Sequence, residues 1–581
     1  SRMSMRTGQE KQYWVGAQSL YGNPGKDLIF RFQRVSPMEV SPNDPRTIYY
    51  GSQYLHRTRD EGVTWEKISP DLTANDPKYQ DRPSGEPITI DVTGEEYYSV
   101  IYAIEESPLE AGVIWTGSND GPFYVTRDNG KSWTNVTPKA QPPGCRVQSI
   151  DASPHRRGSA YYSVLCYQLG DFQPYIWRTD DYGKTWARLT DGTNGIPNNH
   201  PTRVAREDPD REGLIYAGTE FGMFVSFDNG KRWQSLQLNM PATPITDLKV
   251  HQKDLVLSTQ GRSFWILDNL TPLHQMSDAV AGTNASASRA AAPYLFKPRD
   301  AYRFRYTAGF GGVESNRTNP ADPQYPPAGA MIDYWLGDAS TQATLEVLDA
   351  SGTVIRRFSS QGAGERQQPP DQPGMRAPEL VTAGTPRLPN AAGVNRFTWD
   401  LTLAPPADPG RSGGGGGGGG GGRAQGPVIV PGNYSVRLVA GGKTTTQPLV
   451  VRPDPRSLKD GVTVADLREQ FQHNMRVRDM VTEVNTLVAN VETTRQRLRS
   501  AGGAAADTLK QLDALREKLV TPAVRYSKPE LQAHIQYLYS LTTQADQKIG
   551  RDAVDRLRVL RAELDQRQNE ARRLLGGRPV S

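Results

Sequence analysis

The stretch TRDNGKSW, Thr126 to Trp133, occurs four times in this chain of 581 residues, each time in slightly altered form. The other copies are TRDEGVTW at 58–65, TDDYGKTW at 179–186 and SFDNGKRW at 226–233. We call this element the octapeptide; its shared residues are Asp60, Gly62 and Trp65, then Asp128, Gly130 and Trp133, then Asp181, Gly183 and Trp186, and finally Asp228, Gly230 and Trp233. The aspartate can accept backbone N–H groups within a turn and the glycine can supply a positive φ. The tryptophan is predicted to fill the space between neighbouring sheets, so the octapeptide is interpreted as scaffolding.

Each octapeptide closes a longer unit of strand, Ser/Asp-Pro turn, strand ending in Gly-Thr or Gly-Ser, and a further strand. Units of four short strands that repeat every 50 to 70 residues or so are typical of a β-propeller. We also predict a blade without an octapeptide around 245–270 and a strand remnant near 11–32. Because closed propellers usually have about six or seven blades, we expect 1–275 to be the C-terminal part of a larger propeller region, or to be completed by another chain.

The octapeptide resembles the Asp-box, or bacterial neuraminidase repeat, of sialidases, two-propeller xyloglucanases and sortilin-like receptors. Longer stretches, such as REDPDREGLIYAGTEFGMFVSFDNGKRW and DLVLSTQGRSFWILDN, resemble bacterial exported proteins of the sortilin-like repeat group, which are often labelled glycosyl hydrolases. The resemblance covers 1 to about 275 well and the remainder loosely, and it too implies a longer polypeptide. The chain departs from the group at Thr259-Gln260-Gly261-Arg262, where the group commonly has Thr-His-Gly-Arg.

The loops opposite the octapeptide turns are the predicted ligand face, because propeller ligands usually bind at that end of the channel. We place there the residues Gln53, Glu95, Glu96, Asp120, Glu220, Gln260 and Arg262. Asp120 and Glu220 are the predicted catalytic pair of a glycoside hydrolase, which needs two carboxyl groups about 5–9.5 Å apart. The competing interpretation, which we favour, is that these carboxylates cap loop N–H groups. A sialidase would need an arginine triad, and only Arg262 occupies a comparable position.

Cys145 and Cys166 are the only cysteines, and no C-x-x-C motif occurs. The sequence between them reads as strand, polar turn and strand with its midpoint at His155 and Arg156. Folded as a hairpin, it would bring the two sulfurs face to face, so we predict a cross-strand disulfide in an exported protein. Two reduced, buried thiols are the alternative.

The remainder of the chain is predicted to contain a linker at 276–292, an immunoglobulin-like β-sandwich at 293–455 and a helical region at 456–581. The ten glycines Gly413–Gly422 satisfy a dinucleotide-binding pattern only trivially and are interpreted as a loop. From Thr463 onwards, Val477, Val481, Val484 and Val491 follow a 3.5-residue period. We predict an antiparallel bundle that includes a helix opened by a capping box at Ser527 and Glu530, with a dimerising coiled coil as the alternative.

The formal net charge of +5 is too small to predict nucleic-acid binding, and no apolar run is long enough for a membrane span. We expect no cofactor and no metal; calcium at the acidic loop 75–82 remains an alternative. The overall prediction is a mainly β protein outside the cytoplasm, periplasmic, on the cell surface or secreted. It binds a peptide, a glycan or a partner subunit. The alternatives are the glycoside hydrolase and a self-assembling structural component.

Overall fold

The first four units of the sequence form four-stranded antiparallel sheets, each in the order of the chain. The computed structural model describes residues 2–90, 92–94, 96–281, 292–305, 328–339, 341–361, 386–409, 425–501, 506–524 and 526–575. Glu95, the polyglycine run and Gly576 lie outside these residues. The chain divides into two units, 1–286 and 287–581, which are described separately.

The N-terminal unit begins with a short hairpin and continues with five blades. The hairpin consists of β1 Arg2–Met3 and β2 Glu10–Lys11. The first blade consists of β3 Met38–Val40, β4 Ile48–Gly51, β5 Leu55–Thr58 and β6 Glu66–Lys67; the second, of β7 Ile101–Glu106, β8 Ile114–Ser118, β9 Phe123–Thr126 and β10 Thr134–Asn135. The third consists of β11 Arg146–Ala152, β12 Ala160–Leu165, β13 Tyr175–Thr179 and β14 Ala187–Arg188; the fourth, of β15 Thr202–Glu207, β16 Ile215–Thr219, β17 Gly222–Ser226 and β18 Gln234–Ser235. The fifth has three strands, β19 Ile245–His251, β20 Asp254–Thr259 and β21 Phe264–Leu267, and helix α1 Thr271–Ala281 follows it.

Successive blades pack face to face through apolar side chains. Tyr49 and Leu55 of the first blade share one buried cluster with Ile104 and Ile114 of the second. The first strand of each blade contacts the first strand of the next one. This is the blade packing of a β-propeller, and the prediction of propeller blades is confirmed at that level.

The octapeptide turns have one geometry in all four blades. In the second blade, Asp128 Oδ1 accepts from Thr126 Oγ1 and from Ser132 N, each at 2.9 Å, and Gly130 N donates to Thr126 Oγ1 at 2.9 Å. The glycine has φ +91° and Asn129 before it has φ +63°. The corresponding aspartates Asp60, Asp181 and Asp228 accept from the hydroxyl two residues earlier and the N–H four residues later. The side chain of each aspartate is therefore engaged by its own turn.

A disulfide joins Cys145 and Cys166, which flank the hairpin of β11 and β12, with their Cα atoms 4.8 Å apart. Arg146 pairs with Leu165 at the end of this ladder, so the two cysteines lie directly beyond the last paired residues. This is the pairing that the predicted hairpin implies. Both cysteines are buried.

The C-terminal unit contains two sheets that share one core. The smaller sheet has the order β22 Tyr294–Leu295, β24 Ala330–Leu336 and β27 Gly393–Trp399. The larger sheet has the order β23 Ala301–Arg303, β29 Lys443–Pro453, β28 Gly432–Ala440, β25 Ala343–Leu348 and β26 Val354–Ser359, with β23 parallel to β29. Side chains from both sheets, such as Phe397 and Val436, are buried in the same cluster. The region is therefore a two-sheet sandwich.

The helices that follow the sandwich are α2 Pro455–Lys459, α3 Val464–Ala501, α4 Ala506–Leu519, α5 Leu531–Thr543 and α6 Arg551–Leu574. Helices α3 to α6 pack on one another around a common core, which includes Val477, Val481, Val484 and Val491. Arg495, which interrupts the apolar period, is buried and paired with Glu492 and Asp513.

The prediction of a capping box at Ser527 and Glu530 is wrong. Helix α5 begins at Leu531, and Glu530 is its N-cap residue without a side-chain capping bond. Pro529 disfavours helical geometry at Lys528, so the helix cannot begin as early as the sequence pattern suggests. Ser527 Oγ instead donates to the carbonyl of Val524 at 2.8 Å.

Candidate binding face opposite the octapeptide turns

Asp120, one of the two predicted catalytic residues, anchors a loop. Its Oδ2 atom accepts from the backbone N–H groups of Ala74 and Asn75 at 2.9 and 3.2 Å, and its Oδ1 atom accepts from Ser118 Oγ at 2.6 Å. The side chain is buried, and burial raises the pKa of the carboxyl group while these hydrogen bonds oppose the shift. These contacts match the interpretation of the carboxylate as a cap for loop N–H groups.

Glu220, the other predicted catalytic residue, is held by an arginine of its own blade. Arg203 Nε donates to Glu220 Oε1 at 2.6 Å, and Arg203 Nη2 donates to Gln260 Oε1 at 3.4 Å. Arg203 therefore brings together two residues of the predicted ligand face, Glu220 and Gln260. Asp120 has no hydrogen bond to Arg203, Glu220 or Gln260; its partners are Ala74, Asn75 and Ser118.

Gln53 also makes structural contacts, whereas Arg262 is exposed. Gln53 Oε1 accepts from the N–H of Arg31 at 2.8 Å, and its Nε2 donates to the carbonyl of Ile29 at 3.1 Å, so it fixes the segment before the first blade. The side chain of Arg262 is open to solvent, and its carbonyl accepts from Trp265 Nε1 at 2.9 Å. Glu96 is half-buried, and its charge acts on Arg146.

The first strands of four consecutive blades carry a register shift at the same place. In each of these strands, the pairing with the second strand skips one residue near the start. The skipped residues are Tyr102, Gln148, Arg203 and Thr246. A β-bulge re-aims a side chain and is common beside binding sites. Because each bulge lies at the end of the strand remote from the octapeptide turn, the structure places a repeated irregularity on the predicted ligand face.

Arg146 and Arg203 lie among tyrosines at this position. The guanidinium of Arg146 lies 4.5 Å from the ring centre of Tyr102, and that of Arg203 lies 6.0 Å from the ring centre of Tyr167. Burial lowers the pKa of Arg146, and the positive charge of Arg203 acts in the same direction. The negative charge of Glu96 opposes both effects on Arg146, and Arg203 is itself paired with Glu220.

Six buried polar atoms of the third blade have no hydrogen-bond partner among the described residues, and three of them lie at its ligand-face end: Arg146 Nε, Gln148 Oε1 and Gln168 Oε1. A buried polar group that stays unsatisfied costs about 1–3 kcal/mol, so such groups usually meet water or a ligand. We define the bulge face as Tyr102, Arg146, Gln148, Tyr167, Gln168 and Arg203.

The sequence did not predict the bulge face. Four of its residues lie near the start of a first strand, and Tyr167 and Gln168 lie in a loop of the third blade, from which no ligand-face residue was predicted. The dipeptide Arg-Val occurs in both CRVQS and TRVAR, but Arg203 lies at the bulge that Gln148 occupies in the third blade, so this repeat does not mark equivalent positions. The bulges themselves depend on cross-strand pairing and leave no pattern in one strand alone.

A second set of charged residues occupies one register position on the first strand of all five blades. In the first four blades, this position is three residues before the proline of the turn that follows the first strand. The set consists of Glu39, Glu105, Asp151, Arg206 and Lys249. The side chains are half-buried or, at Lys249, exposed. The blades therefore repeat a charged position whose sign changes from acidic to basic along the chain.

Arg206 is the centre of this charged set. Its Nη2 atom donates to Asp247 Oδ1 at 3.0 Å, its Nε to the carbonyl of Leu248 at 2.6 Å, and its Nη1 to Asp151 Oδ1 at 3.4 Å. Burial raises the pKa of Asp151 to about 6, although Arg206 opposes the shift. Burial and the negative charge of Asp151 raise the pKa of Glu105 well above its usual value, and no hydrogen bond from a described residue reaches the Glu105 carboxyl group.

Possible metal ligands come together at one place in the described part of the chain, where ligand atoms of Asp208, Asp210 and His274 lie within 4.8 Å of one another. His274 Nε2 lies 2.8 Å from Asp208 Oδ2, which also accepts from Tyr216 at 2.8 Å. In the acidic loop 75–82, the alternative calcium site, Asp76 caps Lys78 N and Asp81 pairs with Lys26. These side chains already have protein partners, and Ca²⁺ prefers six to eight oxygen ligands.

No protein-family model matches the chain. An oligoxyloglucan-reducing end-specific xyloglucanase of Emericella nidulans is 30% identical over 112 residues, which are 19% of this chain and 13% of that protein. The chain therefore spans a small part of this relative's length. The solved structure of the GH74 xyloglucanase from Xanthomonas campestris is 20% identical, with a TM-score of 0.31 over 40% of this chain and 36% of that one. YCF48 from Cyanidioschyzon merolae is 12% identical, with a TM-score of 0.27 over 38% of this chain and 66% of that one.

Among the described helices, none is both long and apolar enough to cross a membrane.

Proposed function

We propose that the N-terminal unit binds a glycan that carries carboxylate groups, and that the bulge face is its site. One observation carries the proposal: Arg146 Nε is buried without an acceptor among the described residues. An arginine pairs most strongly with a carboxylate.

The other groups of the bulge face suit a sugar ligand. Tyr102 and Tyr167 offer flat apolar surfaces, while the amides of Gln148 and Gln168 can bond to hydroxyl groups. A few polar groups beside aromatic side chains are the usual composition of a small-molecule site. The partial similarity to xyloglucanases also supports a carbohydrate ligand.

Binding is favoured over hydrolysis because the predicted catalytic pair is already engaged. Asp120 caps a loop and Glu220 is paired with Arg203, so both carboxylates already have protein partners. We further propose that the unit is an Asp-box, sortilin-like propeller, that the sandwich is immunoglobulin-like, and that the protein works outside the cytoplasm. The disulfide supports that location.

The test is calorimetric titration with oligosaccharides of hexuronic acid and with neutral oligosaccharides of equal length. The wild-type chain is expected to prefer the acidic ligand, and the preference should weaken as salt is added. Arg146→Gln should weaken binding of the acidic ligand at least tenfold, because a charge-assisted hydrogen bond contributes about 1.5–3 kcal/mol.

Arg188→Gln is the matched control. Arg188 also stacks on a tyrosine, Tyr175, at 4.4 Å, but it lies on the outermost strand of the third blade. Equal binding of acidic and neutral ligands, with both variants unaffected, would disprove the proposal. Stronger binding of an acidic peptide than of any sugar would move the assignment to a protein ligand.

A glycoside hydrolase is the second candidate, and the Glu105 carboxyl group favours it. A general acid of a glycosidase needs a raised pKa, as Glu105 has, and Asp151 occupies the same register position on the first strand of the next blade. The predicted pair, Asp120 and Glu220, remains an alternative for this activity. Release of reducing ends that is lost in Glu105→Gln or Glu220→Gln, but kept in Glu10→Gln on the exposed hairpin, would establish hydrolysis.

A further inference from the structure

One hydrogen bond joins neighbouring blades in the same way three times. The indole Nε1 of the octapeptide tryptophan donates to the carbonyl of the residue directly after the last strand of the preceding blade. The pairs are Trp133 with Ile68 at 3.0 Å, Trp186 with Val136 at 2.7 Å and Trp233 with Leu189 at 3.0 Å. This contact is a fixed part of the interface between blades.

The first blade carries the same donor without the acceptor. Trp65 Nε1 is buried and has no hydrogen-bond partner among the described residues. The packing beside the octapeptide glycine is looser there as well. A methyl group on Gly62 would lie 3.6 Å from its nearest neighbour, Tyr13, whereas one on Gly183 would lie 2.6 Å from Val136. The hairpin of β1 and β2 reaches this edge through an ion pair of Arg2 with Glu61, but it supplies no acceptor.

The surrounding face of the first blade is exposed where later blades are covered. Met38 and Val40 of β3 are 61% and 49% exposed. The residue that corresponds to Met38 in the second blade, Ile104, is 6% exposed and packs against the first blade, and its counterpart Ala205 in the fourth blade is fully buried. The first blade therefore presents the half of an interface that its neighbours complete.

We propose that this face, formed by Met38, Val40, Ile48 and Trp65 beside the stacked pair of Phe32 and Tyr50, docks a further four-stranded antiparallel blade. The incoming blade offers apolar side chains to Met38 and Val40, and the residue after its last strand offers its carbonyl to Trp65 Nε1. This face continues the series of three interfaces already present, in which the indole donor and the carbonyl acceptor always occur together.

A second copy of the chain does not fit this description. Within the described part of the N-terminal unit, the other uncovered blade face is that of the fifth blade, where Phe264 and Ile266 are 77% and 58% exposed. The fifth blade has three strands in the described residues, so it lacks the last strand whose following carbonyl would meet Trp65. Two first blades placed face to face would bring two Trp65 Nε1 donors together without an acceptor. The occupant is therefore a blade with a complete fourth strand.

The test gives the full chain such a blade and measures hydrogen exchange in the first blade. A duplicate of residues 142–198, which contains the third blade, is joined ahead of Ser1 by a flexible Gly/Ser linker. A second fusion carries 96–198, so that the added blade keeps its own neighbour. Detection of two disulfides in each intact fusion shows that the added blade has folded, because Cys145 and Cys166 pair within it.

In the folded fusions, backbone amides of 38–51 are expected to exchange at least tenfold more slowly than in the unfused chain. Trp65→Phe should cancel part of that protection in the fusion and change little in the unfused chain. The control is Ile176→Glu in the duplicate alone, because Ile176 packs toward the following blade; this fusion should give no protection.

Unchanged exchange in a fusion with two disulfides would overturn the proposal. The proposal would also be overturned if 38–51 exchanged as slowly in the unfused monomer as in the folded fusions, because the chain would then cover its own face. A dimer in sedimentation, with 38–51 protected and released by Phe264→Glu, would also overturn it and would identify a second copy as the occupant.

Discussion

The two units of this protein are stabilised over very different distances along the chain. In the N-terminal unit, the octapeptide aspartates bond to groups two and four residues away, and each blade packs on the next one. In the C-terminal unit, Arg303 on β23 bonds to Asp546, which lies 243 residues later between α5 and α6. Arg303 also donates to Gln470 on α3 at 3.1 Å and to the carbonyl of Ile429 at 3.0 Å.

Repetition makes an architecture visible in the sequence, whereas a single long-range cluster leaves no pattern. The octapeptide is written four times, so its structural role can be inferred by comparing copies. Arg303 and Asp546 occur once each, and nothing in the sequence distinguishes them from other charged residues. The buried pair nevertheless connects the sandwich to the helices within this unit.

The largest expected effect comes from breaking this buried pair. Arg303→Met should destabilise the C-terminal unit by about 3–5 kcal/mol, because Asp546 loses its best-buried partner and keeps Arg305 alone. Chemical denaturation monitored by helix signal measures it. Arg452→Met is the control: its ion pair with Asp300 is exposed, and its loss should change stability by less than about 1 kcal/mol. Equal effects would mean that the long-range cluster does not hold the unit together.

A smaller effect should come from the repeated turns. Gly183→Ala is expected to destabilise the N-terminal unit by about 2–4 kcal/mol, because an alanine at φ +83° is strained and its methyl group would overlap Val136. Gly170→Ala has the same strain at φ +84° but no atom within 4 Å of the added methyl group. This control should cost about 1–2 kcal/mol. Similar losses in thermal unfolding would show that the contact between blades adds nothing to the backbone strain.

The smallest effect is a dependence on pH within one octapeptide turn. The side chain and N–H of Ser132 hold the pKa of Asp128 at about 2, below its ordinary value of 3.8. A lowered pKa in the folded state means that the stabilising contribution is full above about pH 4 and is lost as the pH falls towards 2. The stability difference between wild type and Asp128→Asn should therefore shrink over this range in urea unfolding. A difference that stays constant from pH 5 to pH 2 would contradict the assigned role.

The fold of the N-terminal unit was largely predictable because its determinants are local. Gly130 and Trp133 have the positive φ and the position between blades that the octapeptide predicts. The disulfide between Cys145 and Cys166 follows from counting residues along one hairpin. The prediction of a capping box at Ser527 failed for a local reason too, since Pro529 moves the start of the helix.

The candidate site was much less predictable. Loop position predicted that Glu220 and Gln260 lie on one side of the blades, and they do meet there through Arg203. The pattern could not show that Asp120 is engaged by two backbone N–H groups from a loop some 45 residues earlier. It also gave no sign of Arg146, whose importance depends on Tyr102 and Arg203 in neighbouring blades.

The sequence by itself determined the repeating blade, its turns and its disulfide, because each rests on residues close together in the chain. The tertiary structure decided which polar groups remain unsatisfied, such as Arg146 Nε and Trp65 Nε1. Whether a donor has an acceptor depends on what the neighbouring blade presents at a distance of about 3 Å. That property belongs to the packed arrangement of blades, and no single repeat contains it.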